Sequence, residues 1–254
     1  MDAHKRYALE REYWDKHAAR IWAAPSDYKL PHLATFEDLC RSISYLSPVS
    51  AFFGHLRGKR ILDLACGDGW ISWSLGKSGA IVHGCDISPK SIEIARRFAG
   101  ENGLQSTVTF DVMACEQLSY EDNYFDLAIM HAAMHHCDID KTSEQLHRVL
   151  KPGSKAVLIE DYAYHPLMRL YRILTPDRHT ETEEALTDED LQVIVRHFSG
   201  HFFGYFGILN LVETSSSALL RRMKPLLRAL DSYLYAGLPS VRKYSKLIEI
   251  FLIK

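Results

Sequence analysis

Short apolar runs alternate with amphipathic stretches through the middle of the chain, and that alternation predicts the fold class. Residues 59–64 (KRILDL) read as a strand that ends in a glycine turn, and 71–77 as a helix. Residues 80–86 (AIVHGCD) read as a second strand and 89–102 as a second helix. Ser88 is placed to cap that helix and Pro89 suits its first position. Strands follow at 108–113, 125–131 (FDLAIMH) and 155–159 (KAVLI), with a helix over 142–150 that stops at Lys151, Pro152 and Gly153. Short apolar strands separated by helices belong to parallel sheets covered on both faces. Right-handed crossovers then give an α/β, doubly wound sheet, with its ligand crevice beyond the carboxyl ends of the strands.

The flanks carry other patterns. Residues 1–56 read as helices punctuated by Pro25, Pro31 and Pro48. After the fifth strand, 187–197 is a helix whose first turn holds Asp188, Glu189 and Asp190, as the helix dipole favours. A sixth strand is expected at 201–206 and a seventh at 246–253 (KLIEIFLI). Between them, Leu219, Leu220, Met223, Leu226, Leu227, Leu230 and Leu234 follow helical spacing, with Arg221, Arg222, Lys224 and Arg228 mostly on other faces. Pro225 is expected to kink or split that helix. The resulting division is 1–56, an N-terminal helical lid; 57–206, the α/β core; 207–245, a helical cap or interface insertion; and 246–254, the last core strand. The interface reading implies a homo-oligomer, and the alternative for the insertion is a basic amphipathic element in peripheral contact with a membrane.

Composition narrows the field. A chain of 254 residues suits one α/β domain with elaborations, and a formal net charge of -2 supplies no field for nucleic acid. Five cysteines without a C-x-x-C pair suggest no disulfide framework, and a reducing cytoplasm is the simplest reading. The charged N-terminus has no signal-peptide h-region, and no apolar run is long enough for a membrane span.

The first strand runs into Asp63, Leu64, Ala65, Cys66, Gly67, Asp68 and Gly69. Glycine at 67 and 69 allows a tight turn and close approach of a ligand, and the next helix offers free N–H groups. Asp86, closing the second strand, is placed to accept both hydroxyls of a ribose. The dinucleotide fingerprint requires a third small residue where this chain has Ser72, and Trp70 lies inside the turn, so a nicotinamide-dependent oxidoreductase is the disfavoured alternative. A non-catalytic binding domain of the same fold is another.

The run ILDLACGDGW resembles the first motif of class I S-adenosylmethionine-dependent methyltransferases, with Ala65 in place of its first glycine. The likeness continues through HGCDISPKSIEIAR, EQLSYEDNYFDLAIMHAAMHH and LHRVLKPGSKAVLIE, in order, over about residues 58–162. It is nearest to the ubiquinone-biosynthesis-like branch of small-molecule methyltransferases. The resemblance implies a seven-stranded, mostly parallel Rossmann-like sheet, S-adenosylmethionine as cofactor and a small-molecule acceptor such as a natural product, sugar or lipid-like metabolite. It places Asp63 and the backbone from Ala65 through Cys66, Gly67 and Asp68 to Gly69 at the methionine end, Asp86 on the ribose, Ile87 on the adenine, and Met113, Ala114 and Cys115 along the adenine edge. Where the family often has an Asp that binds the adenine amino group, this chain has Ala114, so Glu116, a backbone carbonyl or water would substitute. In similar proteins N-terminal helices fold over the cofactor, and Tyr13 or Trp14 would cover the adenosyl group; ordinary core packing explains these aromatics equally well.

Methyl transfer from a sulfonium needs alignment and exclusion of water, and a base only when the acceptor must lose a proton. His131 ends the fourth strand near the implied methyl position, and His135, His136, Glu160 and Asp161 lie close in sequence to the same edge. The catalytic candidates are His131, His136 and Glu160; capping or packing is the competing reading for His135 and His136. His131 and His135 have H-x-x-x-H spacing, which aligns two ligands only on a helix; His131 ends a strand, so no metal is expected.

Overall fold

A computed structural model describes residues 3–23, 34–175, 184–211 and 218–254. Seven strands form one sheet: β1 (Arg60–Leu64), β2 (Ile81–Asp86), β3 (Val108–Val112), β4 (Phe125–His131), β5 (Leu150–Asp161), β6 (Gly200–Phe206) and β7 (Leu247–Ile253). Their order is β3-β2-β1-β4-β5-β7-β6. β7 runs antiparallel to both of its neighbours, and the other neighbouring pairs are parallel. The order reverses between β1 and β4, the position where an open α/β sheet leaves a crevice at its carboxyl edge.

Two apolar layers cover the sheet. One face packs Ile61, Ile129, Val157 and Phe251 against Phe36 and Leu39 of α2 (Phe36–Ser42), Val49 and Phe53 of α3 (Ser47–Phe53), Leu75 of α4 (Trp70–Lys77) and Ile92 of α5 (Pro89–Glu101). The other packs Leu62, Met130, Leu158 and Ile250 against Leu146 of α6 (Ile139–Val149) and Leu191 and Ile194 of α8 (Asp188–Val195). Each strand therefore contributes alternate residues to opposite layers. That alternation decides which polar side chains meet at the crevice.

Local chemistry sets the ends. Ser88 caps α5, its Oγ accepting from Ser91 N at 3.0 Å, with Pro89 in the first turn. Asp138 caps α6, which begins three residues before the expected Thr142. The expected stop at 151–153 is instead part of β5: Leu150 already pairs with Phe125, and the register shifts between Phe125 and Leu127. A strand irregularity of this kind accommodates Pro152 and Gly153, whose φ is +72°. Pro48 does not break a helix but opens α3.

Outside the core, α1 (Ala3–Ala23) packs along α5. Helix α7 (Pro166–Leu174) follows β5, and α9 (Ala218–Gly237) lies between β6 and β7. Pro225 does not split α9; the helix continues through it and loses the single backbone hydrogen bond a proline cannot donate. Tyr28, Pro25, Pro31 and the Trp22 side chain lie outside the described residues. Among the described residues no helix is long and apolar enough to cross a membrane.

Candidate active site

The turn after β1 has three positive φ values: Ala65 at 54°, Gly67 at 54° and Gly69 at 89°. For Ala65 this conformation costs on the order of 1–2 kcal/mol, and the surrounding contacts hold it. Cys66 N donates to Cys85 O, Gly69 N to Cys66 O, and Gly67 N to Asp86 Oδ2, each at 2.9 Å. Ser72, the residue that breaks the dinucleotide fingerprint, donates from Oγ to Asp63 Oδ2 at 2.6 Å. It fixes the buried carboxylate at the end of β1.

The turn walls a cavity of about 250 Å³. Asp63, Ala65, Cys66, Gly67, Asp86, Ile87, Ala114, Cys115 and His131 all line it. Gly69 does not: a Cβ there would lie 2.8 Å from Phe110, so this glycine serves packing of the turn. Asp68, expected only as part of the turn backbone, and Trp70, not expected as a site residue, also line the cavity.

The cavity is acidic. Burial pushes Asp63 and Asp68 up to about 7, with the hydrogen bond from Ser72 opposing the shift at Asp63 and that from Trp70 N opposing it at Asp68. Burial also raises Asp86, against the pull of Ser88 N at 2.8 Å on Oδ1 and Gly67 N on Oδ2. Three carboxyls desolvated together favour a cationic ligand.

At the end of β4, His131 stacks on Tyr45 with ring centroids 5.6 Å apart and meets Trp70 edge-on at 5.5 Å. Its Nε2 shares a hydrogen bond with Tyr45 Oη at 3.1 Å. Burial pushes the imidazole below its usual value, which keeps it neutral near neutral pH. Ala132, the next residue, has φ 54° and turns the chain back over the cavity.

Glu160 does not join His131. Register pairs His131 with Ile159, so Glu160 points to the other layer. There it is fully buried, Oε1 accepting from Ala133 N at 3.0 Å and Met134 N at 2.9 Å and Oε2 meeting His135 Nδ1 at 2.7 Å. These bonds, led by that from His135, hold its carboxyl below the usual range against the upward effect of burial. Glu160 fastens the 132–135 turn and does not line the cavity. Asp161 shares the face of His131 and pairs with Arg172 at 2.9 Å. Among the described residues no cluster of His, Cys, Asp or Glu is arranged to hold a metal ion.

Helix α1 closes the opposite side. Tyr7, Glu10 and Trp14 line the cavity, whereas Tyr13 does not and packs edge-on against Trp14 at 5.2 Å. The helix is tied down by Arg6 to Glu116 at 2.5 Å and by Asp15 Oδ1, which accepts from Ser88 Oγ at 2.5 Å and Lys90 N at 3.1 Å. Glu116 also accepts from Asp138 N at 2.8 Å. Its carboxylate is thus engaged by α1 and α6, which weakens its case as the substitute partner at Ala114. His136 lines the cavity beside α1, its Nδ1 3.2 Å from Glu10 Oε2.

Residues 62–158, which hold the glycine turn, Asp86 and His131, match the family model described as a methyltransferase domain. The chain is 37% identical over 101 residues to a ubiquinone biosynthesis O-methyltransferase of Paraburkholderia phymatum, covering 39% of this chain and 43% of that protein. It is 32% identical over 105 residues to methyltransferase GfsG of Streptomyces halstedii, covering 41% of this chain and 38% of that one. The alignments thus span about two fifths of these relatives' lengths. In fold it is similar to Haemonchus contortus phosphoethanolamine N-methyltransferase 2 in complex with S-adenosyl-L-methionine, with TM-score 0.61, 18% identity, 83% of this chain covered and 52% of that one.

Proposed function

We propose that this chain is an S-adenosylmethionine-dependent methyltransferase for a small-molecule acceptor. The observation that carries the proposal is the site itself: the glycine turn, Asp86 and His131 meet at one acidic cavity within the methyltransferase domain. A Cβ built on Gly67 meets no atom within 4 Å, so the backbone there is open to close approach of a ligand. Asp63, Asp68 and the turn backbone would hold the methionine end, with Asp86 on the ribose and Ile87, Ala114 and Cys115 around the adenine. The bound cofactor supplies an electrophilic methyl group on a sulfonium centre. The protein's part is to orient the donor and acceptor and keep water out.

His131 sits with Tyr45 and Trp70 in an aromatic wall at the donor end, where it orients more than it titrates. The acceptor enters, on this reading, between α1 and the carboxyl ends of β4 and β5. Leu167, Leu170, Ile173 and Leu174 are exposed on α7, the helix whose Arg172 pairs with Asp161, and would give that mouth an apolar rim suited to a lipophilic acceptor. The cysteines are unbridged in the structure, consistent with a reducing compartment such as the cytoplasm.

Titration calorimetry of S-adenosylhomocysteine into the native protein and Gly67→Val tests the site. Native binding that disappears in a folded variant is expected; unchanged affinity in the variant would place the ligand elsewhere.

A further inference from the structure

Glu10 belongs to a helix with an exposed outer side, yet it is itself only 4% exposed. Its Oε2 accepts the Trp14 indole N–H at 3.1 Å and meets His136 Nδ1 at 3.2 Å. Trp14 also holds the His136 ring edge-on, with centroids 5.5 Å apart at 87°. All three residues line the cavity. Burying a carboxylate costs free energy unless a partner uses its charge. Its partners include an indole and an imidazole.

We propose that Glu10 is a positioning residue for His136, and that the pair removes the proton from a hydroxyl acceptor, an alcohol or a phenol, during methyl transfer. The proposal rests on the reading of the cavity as a methyl-donor site. With Nδ1–H donated to Glu10, the basic nitrogen is Nε2, and the carboxylate stabilises the imidazolium that forms. In the step, the acceptor O–H bond breaks and its proton goes to Nε2. The oxygen's electron pair forms the new O–CH₃ bond as the C–S bond of the sulfonium breaks, leaving its pair on sulfur. The imidazolium then loses its proton to solvent.

Among the charged and titratable groups near His136, Glu10 is in direct contact with its Nδ1. From α1 come Glu10, His17 through its contact with Trp14, and Arg6, which is paired with Glu116. From the 132–138 segment come His135, paired with Glu160, and Asp138, which caps α6 and meets Lys141. Cys137 and Cys115 also face the cavity. The base is thus shared between the core and α1, so proton removal depends on α1 lying over the cavity.

The test is ¹⁵N-imidazole NMR on protein saturated with S-adenosylhomocysteine, with His136→Asn to assign the signal. The native His136 should carry its neutral-form proton on Nδ1. Glu10→Gln, which preserves shape and an acceptor for Trp14, should lower its titration midpoint by about one unit, a tenfold loss of proton affinity. With catechol as acceptor, the acidic limb of the kcat–pH profile should move down with it and kcat fall about 10–100-fold, with KM nearly constant. An unchanged midpoint in Glu10→Gln, or a proton on Nε2, would overturn the proposal whether or not catechol is turned over. Native protein that fails to bind S-adenosylhomocysteine would instead overturn the donor-site reading beneath it.

Discussion

Gly67 and Gly69 stand two residues apart and are glycine for different reasons. Both have positive φ, but a Cβ on Gly67 would enter open space and one on Gly69 would strike Phe110. Gly69→Ala should therefore destabilise the fold by about 3 kcal/mol, from backbone strain plus overpacking, read as a lower urea midpoint. Gly67→Ala should lose only the strain. Equal losses in the two variants would contradict this division. Asp86→Ala should weaken S-adenosylmethionine binding by about 2–4 kcal/mol, as expected for two charge-assisted hydrogen bonds; calorimetry showing a change below about 0.5 kcal/mol would mean the carboxylate serves only Gly67 N and Ser88 N. Asp63, Asp86 and the glycine turn were legible because strand ends and glycines leave local signatures. Glu160 was misassigned although strand alternation carried the answer: residue 159 shares the face of residue 131, so residue 160 cannot.

At the scale of elements, the strands of the core stood out because each is a short apolar run bounded by turn residues. The N-terminal segment was legible only as a helix. Which of its aromatics face the cavity depends on how it docks, and docking is set by Arg6 with Glu116 and Asp15 with Ser88, partners far away in sequence. Helical spacing explains the outcome afterwards: Tyr7, Glu10 and Trp14 recur at three and four residues along one face, leaving Tyr13 off it. Removing residues 1–20 should accordingly leave the core folded while raising the Kd for S-adenosylhomocysteine at least tenfold, measured by calorimetry with circular dichroism as the fold check. A truncated protein with native affinity would show that α1 does not cover the ligand. Helix α9 was expected to kink or split at Pro225; it is not split, and continues through the proline.

Across the whole molecule, buried carboxyls give stability a pH dependence. Glu249 on β7 is 3% exposed, and its Oε1 has no hydrogen-bond partner. Burial pushes it up to about 8. In the unfolded chain it ionises near its ordinary value of 4.5, while in the fold it stays protonated until about pH 8. Between these limits the native state binds more protons, so this group's contribution falls as pH rises. Glu249→Gln should therefore leave Tm nearly unchanged near pH 4.5 and raise it increasingly toward pH 8. A constant difference across that range would mean that the Glu249 carboxyl titrates alike in the folded and unfolded chains. Asp63 and Asp68, pushed to about 7 by burial, follow the same sign. A cationic ligand would favour their ionised forms, so its stabilising effect should grow from pH 6 to pH 8.

The central claim is that the acidic cavity between the glycine turn and α1 binds a methyl donor. Titration calorimetry of S-adenosylmethionine into the native protein, with NAD as the comparison ligand, tests it most directly. The account predicts saturable one-to-one binding of S-adenosylmethionine, none of NAD, and loss of binding in folded Gly67→Val. Binding of NAD in its place, or no heat from S-adenosylmethionine with a folded native protein, would contradict it.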